Sequence, residues 1–249
     1  MRIGEVILTR TSLAQMMDFS ALNPQVSESE IREACEIARR YNFKGFHPNP
    51  VWMPLVADEL EGTGIETGCL VSFPFGTNPT ETKVAEAKAG AKLLHGKPWV
   101  IDMVTSVGKL KSKDYNYYKT DIAEVAKVAQ GGGAECKAIL EVGLLTDEEL
   151  KIACELASEA GADWVKSSTG REKGPTLLQV KLMRKYAPPH VKLKVAGTGS
   201  FWTPMVALGC MLAGATRIGT RSAPWIVDEL SAMGEELAAG EVECEAAAK

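Results

Sequence analysis

A closed (β/α)8 barrel is the fold this sequence predicts, and three observations predict it. Short runs rich in Val and Ile alternate with longer stretches of helical period. Eight such pairs can be counted along the chain, and no Gly-rich dinucleotide fingerprint follows the first run, as an open doubly wound sheet of that kind would carry. The length, 249 residues, suits one barrel and is enough to bury well over half of the unfolded surface in a single core. One domain over 1–249 is therefore expected, with a short N-terminal extension and a C-terminal tail, EVECEAAAK, open to fraying and given no role.

The apolar runs place strands over Gln15 to Phe19, Gly45 to His47, Glu66 to Ser72, Val100 to Thr105, Glu135 to Val142, Trp164 to Ser167, Lys192 to Ala196 and Thr216 to Gly219. The first helix has the clearest start: Ser27 is a good N-cap, Glu30 lies three residues on, and Ile31, Ala34, Cys35 and Ala38 then mark one apolar face. Thr146 and Glu149 repeat that capping pattern. Further helices are expected over Val51 to Glu61, Pro79 to Leu94, Asp114 to Gln130, Pro175 to Tyr186, Thr203 to Leu212 and Pro224 to Ala239. The GAE and GAD turns at Gly133 and Gly161 return helix to strand, where glycine supplies the left-handed exit.

Composition narrows the function. Hydrophobic residues at 45% and charged residues at 24% describe an ordinary soluble protein with no disordered bias. A formal net charge of -4 without a basic stretch argues against nucleic acid as a partner, and no apolar run is long enough for a membrane span or signal peptide. The six cysteines stand far apart, with no CxxC pair and no zinc-type spacing, so neither a disulfide framework nor a metal site is suggested. A cytoplasmic protein acting on small molecules fits these features best. Self-association is expected of many barrels of this size, and Trp52, Trp202 or Trp225 would serve either such a surface or the packing of helix on barrel.

Three lysines occupy strands: Lys137 in ECKAILEVG, Lys166 in WVKSSTG and Lys194 in VKLKVAGTG. An ammonium in an apolar strand is costly without a partner or a purpose. Asp102, in WVIDMVTS, supplies a partner. Ammonium groups on neighbouring strands six and seven disfavour each other's charge, which releases a neutral, nucleophilic amine able to form an imine with an aldehyde or ketone. Ion-paired lysines that merely close the barrel are the alternative reading. Asp102 would bridge the lysines or hold a proton-shuttling water, and Asp18 reads equally as a polar residue of the barrel mouth or as part of the relay. Glycine-rich turns follow strands six, seven and eight (SSTGREKG, AGTGS and IGTRSA), and their clustering suggests a phosphate held by backbone N–H groups.

These motifs carry a resemblance. VKSSTG, VIDMVTSVGKLKSKDY, SFPFGTNPTETKVAEA, KAILEVGLLTDEEL and GATRIGT together resemble the deoxyribose-phosphate aldolase family from about Asp18 to the last helix. The resemblance implies a class I aldolase, needing no metal or other cofactor, that joins acetaldehyde to glyceraldehyde 3-phosphate to give 2-deoxyribose 5-phosphate. It implies that Lys166 forms the imine, Lys194 perturbs its pKa, Asp102 with a water moves protons, and Lys137 is a supporting charge. Asp18, Ser20, His47, Thr169, Gly170, Gly197, Gly199, Arg221 and Ser222 are then the expected substrate-binding positions.

Several positions depart from the family pattern. DFSALNP replaces the usual DHTLLKP, and His47 stands where a cysteine is common. The strand-seven turn reads KVAGTGSFW in place of KASGGIRT, and Arg221 takes a phosphate-facing serine position. Arginine can grip a phosphate, select a carboxylate or fill the cavity outright. The altered acceptor end leaves a different aldehyde acceptor open, and a non-covalent sugar-phosphate isomerase or binding barrel is the reading from another class. His47 is read either as a general acid or base or as a merely hydrogen-bonded imidazole.

Overall fold

The computed structural model describes residues 2–172, 174–197 and 201–247, with backbone alone from 240 onward. Eight parallel strands close into a barrel: β1 (Met17–Ala21), β2 (Gly45–Pro48), β3 (Glu66–Val71), β4 (Trp99–Val104), β5 (Glu135–Ile139), β6 (Trp164–Lys166), β7 (Lys192–Ala196) and β8 (Arg217–Thr220). Each strand pairs with its neighbours in sequence, and β8 returns to β1 with Ile218 opposite Met17 and Thr220 opposite Phe19. The helices that follow them are α1 (Glu28–Tyr41), α2 (Met53–Glu59), α3 (Thr80–Leu93), α4 (Tyr115–Gly131), α5 (Asp147–Glu159), α6 (Leu177–Tyr186), α7 (Pro204–Leu212) and α8 (Ala223–Ala247). The (β/α)8 barrel expected from the alternating pattern is thus the observed fold.

Local chemistry explains why these segments take these forms. In α1 the Ser27 side chain accepts from the Glu30 backbone N–H while Glu30 accepts from the Ser27 N–H, and Ile31, Ala34, Cys35 and Ala38 are buried at helical spacing. The exit residue Asn42 adopts φ 53, the left-handed cap that asparagine tolerates. Thr146 with Glu149 and Thr176 with Gln179 build the same reciprocal caps on α5 and α6. Along the strands, side chains alternate between the two faces. Ile101, Cys136, Val165, Leu193 and Ile218 join the apolar layer beneath the helices, and the charged residues interleaved with them turn into the barrel.

Some boundaries move for identifiable reasons. A short helix, Arg10–Ala14, capped by Thr9, takes up the residues before β1 and delays that strand to Met17. β5 stops at Ile139 because Glu141 takes a left-handed φ of 54 and leads into a 3-10 turn, Val142–Leu144. A 3-10 turn, Pro50–Trp52, likewise precedes α2. The hairpin Arg2–Ile3 with Val6–Ile7 and the helix Val107–Lys111 are too short to leave a periodic signal. α8 runs through the tail as far as Ala247, where fraying was expected. Of the three tryptophans singled out above, Trp202 is buried, Trp52 half-buried and Trp225 exposed. Among the described residues no helix is long and apolar enough to cross a membrane.

A buried ion pair ties the helical layer to the barrel. Lys83 of α3 and Asp121 of α4 are both 0% exposed and meet at 2.6 Å. The Lys83 ammonium also donates to the Val104 carbonyl and to Ser106 Oγ, which uses all three of its donors. Asp121→Ala would strand a buried ammonium, and we expect it to lower unfolding stability by about 3–5 kcal/mol. Replacing both partners by apolar residues of similar size should cost far less. Denaturant midpoints of the two variants measure the difference, and equal losses would contradict this account.

Candidate active site

The barrel interior holds one charged network to which all eight strands contribute. Asp18 comes from β1, His47 from β2, Glu66 from β3, Asp102 from β4, Lys137 from β5, Lys194 from β7 and Arg217 from β8, with Lys166 at the end of β6. All but Glu66 are at most 8% exposed at the side chain, and Asp102 is 0% exposed. The register explains their convergence. Lys166 lies directly opposite Lys194, Lys194 opposite Arg217, and Asp102 opposite Lys137, so residues on neighbouring strands share the inward face.

Two carboxylates organise the cations. Asp102 Oδ2 accepts from Lys166 Nζ at 2.7 Å and from Lys194 Nζ at 2.8 Å. Asp18 Oδ2 lies 2.7 Å from Lys194 Nζ and 2.8 Å from Lys137 Nζ, while its Oδ1 accepts from Arg217 at 2.7 Å. Arg217 also reaches Glu66 at 3.3 Å. His47 Nε2 stands 3.2 Å from Lys194 Nζ and 3.3 Å from Asp102 Oδ1. Beneath the network Trp164 forms an aromatic floor, with Lys137 and Arg217 each 5.2 Å from its ring centre.

Glycines make the space these side chains need. A Cβ on Gly45 would sit 2.7 Å from Asp18 Oδ1, and one on Gly219 would sit 2.9 Å from Lys194 Cε. A Cβ on Gly68 would overlap the His47 ring, 2.7 Å from Nε2 and nearer still to Cδ2.

The electrostatics follow from burial and charge count. Desolvation is the largest influence on Lys166; Asp102 opposes it and Lys194 adds to it, and together they bring the amine down to about 8. Lys194 is equally buried, yet Asp102 and Asp18 overcome that cost and hold it above the usual lysine value. Burial also lowers Lys137, with Asp18 opposing. Burial would raise both aspartates, but the surrounding cations keep Asp18 and Asp102 well below the usual carboxylate range. Their contribution to stability is therefore present above the unfolded value near 4 and is lost as pH falls toward their folded values. Burial, then Lys194, push His47 down to about 4, so the imidazole is neutral at physiological pH.

The other expected positions that the structure describes lie at or just beyond the C-terminal ends of the strands. Ser20 of β1 lies opposite His47. Thr169 is buried and accepts from the Arg171 N–H, and Gly170 takes a φ of 81. Gly197 leaves β7 beneath the Phe201 ring, which also lies against Gly174. Arg221 is exposed just after β8, and the Ser222 N–H donates to Thr220 Oγ1. Gly199 lies outside the described residues. A pocket of about 60 Å3 is lined in part by Val104 at the end of β4, by Glu141, and by Thr169 and Arg171 after β6. Arg171 crosses the mouth to the Leu22 carbonyl at 2.6 Å. Among the described residues no group of three or more His, Cys, Asp or Glu stands where it could hold a metal ion.

Three participants were not singled out from the sequence: Arg217, Glu66 and Glu141. Arg217 lies within the GATRIGT motif but precedes the turn that drew attention, and only the register shows it reaching Asp18. Glu141 carries a signal visible in retrospect, a lone acid in an apolar run. Its two carboxylate oxygens accept from the Thr169 N–H at 3.2 Å each, and burial raises its pKa.

Comparison with known proteins decides the family. No family model matches the chain. A deoxyribose-phosphate aldolase from Thermococcus kodakarensis is 42% identical over 224 residues, which cover 89% of this chain and 98% of the relative. One from Clostridium novyi is 43% identical over 218 residues, 87% of this chain and 96% of the relative. The chain belongs to the deoxyribose-phosphate aldolase family. Its members are lyases, and the barrel agrees with theirs: a tetrameric deoxyribose phosphate aldolase from Aeropyrum pernix superposes with a TM-score of 0.81 at 27% identity, covering 90% of this chain and 93% of that one.

For this family member the depressed Lys166 amine is a measurable property. Lys194→Met removes a cation that lowers it and leaves Asp102 Oδ2 to Lys166 alone, so Lys166 should move up from about 8 toward the ordinary lysine value. Its labelling by an amine-directed reagent at pH 7, followed by mass spectrometry, should slow about tenfold. Unchanged labelling would rule out the neighbouring cation as a cause.

Proposed function

We propose that this protein is a class I aldolase that reversibly cleaves 2-deoxy-D-ribose 5-phosphate to acetaldehyde and D-glyceraldehyde 3-phosphate through a Schiff base on Lys166. The observation that carries the reading is the pair of lysines on one face of neighbouring strands, joined by one oxygen of Asp102. Lys194 keeps its proton there, while Lys166 loses its own near pH 8.

The steps follow from that asymmetry. The Lys166 lone pair forms a bond to C1 of the open-chain sugar, whose oxygen departs as water to leave an iminium. The iminium draws electrons from the C2–C3 bond as the C3 hydroxyl gives up its proton, which releases the phosphorylated aldehyde and leaves an enamine. Protonation at C2 and hydrolysis return acetaldehyde and free Lys166. Lys194 and Asp102 supply and take protons beside the imine, Lys137 and Asp18 fix their charges, and the glycine turns at Gly170 and Gly197 with Ser222 and Arg221 receive the phosphate. One feature favours a different acceptor aldehyde: the Phe201 ring lies on Gly197, where a phosphate would approach the backbone. As in the Aeropyrum pernix relative, self-association belongs to this proposal.

Treatment with acetaldehyde and borohydride should leave a two-carbon adduct on Lys166, found by mass spectrometry of peptides; its absence would end the imine reading. Lys166→Ala should lose the adduct and more than about a thousandfold of turnover. Since only the neutral amine reacts, kcat/KM should rise about tenfold from pH 7 to pH 9, following deprotonation near 8. Product assays with phosphorylated and unphosphorylated acceptors then identify the aldehyde.

A further inference from the structure

The segments that follow β6 and β7 lead away from the two strands that carry Lys166 and Lys194, and an aromatic ring joins them. A Cβ on Gly197, just after β7, would stand 2.6 Å from Phe201 Cδ1, and one on Gly174, after β6, would stand 3.0 Å from Phe201 Cγ. A side chain at either position would press on the ring, so Phe201 fills the room that both glycines leave. Its far side is fixed as well. The ring meets the buried Trp202 indole edge-on, with centroids 4.9 Å apart and planes at 76°, and it packs against the core.

This seat bears on the acceptor aldehyde. The interior beneath Lys166 is filled by the ion network and the buried Trp164 ring, so the far end of a bound substrate extends past the C-terminal ends of the strands. In (β/α)8 barrels a phosphate at that end is commonly held by backbone N–H groups of the late turns, which glycine lets a ligand approach closely. At Gly197 and Gly174 the opening that glycine provides is taken by a hydrocarbon ring, which offers an anion neither charge nor donor. Arg221 stands exposed just after β8, and an exposed guanidinium grips an anion more weakly than a set of desolvated donors.

We propose that Phe201 is a specificity-determining residue: by covering Gly197 and Gly174 it deprives the acceptor's phosphate of a backbone hold, so that phosphorylated and unphosphorylated aldehydes are used with similar efficiency. The proposal rests on the Schiff-base reading above and concerns its acceptor. Binding energy from a remote phosphate ordinarily helps the reacting end of a substrate, and a truncated substrate then reacts poorly. A site that draws little from the phosphate loses little without it. The chemistry is the same for either acceptor. The enamine carbon of the Lys166 adduct forms the new C–C bond to the acceptor's carbonyl carbon, the carbonyl oxygen takes up a proton, and water releases the product and restores the amine.

The test runs in the direction of synthesis with acetaldehyde as donor, and it reads kcat/KM for D-glyceraldehyde 3-phosphate divided by kcat/KM for D-glyceraldehyde. In the native protein this ratio should stay below about thirtyfold, and a larger one would overturn the proposal. Phe201→Ala uncovers both glycines and should raise the ratio at least about tenfold, chiefly through a lower KM for the phosphorylated acceptor. Inorganic phosphate should inhibit that variant at correspondingly lower concentration. Phe201→Leu keeps apolar bulk over the glycines and should stay near the native ratio. An unchanged ratio in Phe201→Ala, or an equal rise in the Leu and Ala variants, would contradict the role given to the ring. Deuterium exchange into the acetaldehyde methyl group needs no acceptor and reports whether each variant keeps a working Lys166. Should Phe201→Ala fail that check, the native ratio still decides. A native protein that forms no borohydride-trapped adduct on Lys166 would instead remove the Schiff-base reading, and the acceptor assignment with it.

Discussion

One carboxylate oxygen shared by two lysines, Asp102 Oδ2 between Lys166 and Lys194, is the interaction on which the interior of this barrel depends. With Lys166 neutral, the cations Lys137, Lys194 and Arg217 face the anions Asp18, Asp102 and Glu66 in equal number. A proton on Lys166 adds a fourth cation to a buried cluster of three anions, and it must share Asp102 with Lys194. The lowered proton affinity of that one amine is therefore a property of the whole ring of strands. Lys194 differs from Lys166 because it touches both aspartates, whereas Lys166 touches only Asp102.

The barrel was legible because its signals are local and repeated. Reciprocal caps at Ser27 and Thr146, glycine exits and apolar strand cores each report on a few consecutive residues. Strand lysines such as Lys166 and Lys194 were conspicuous for a related reason, since charge inside an apolar run violates the pattern around it. The departures occur where a single backbone torsion decides the outcome, as at Glu141, or where an element is shorter than the period that would reveal it, as at Val107–Lys111.

Contacts set by register were not legible. Arg217 and Asp18 are 199 positions apart in sequence and meet only because β8 closes on β1. His47 could be flagged as unusual, but its seat beside Lys194 requires knowing that β3 presents Gly68 to β2. A sequence shows which residues are costly to bury; closure of the sheet shows which of them share the cost.

Gly45, Gly68 and Gly219 each face one polar side chain of the network, Asp18, His47 and Lys194 respectively. Such pairings impose an order on evolutionary change. An ancestor with a bulkier residue at 68 would have had to lose it before a histidine at 47 could settle, and a lineage that later exchanged the histidine for a smaller group would inherit a hollow in its barrel. The two positions form a ratchet, so the history of this site is constrained by residues that perform no chemistry.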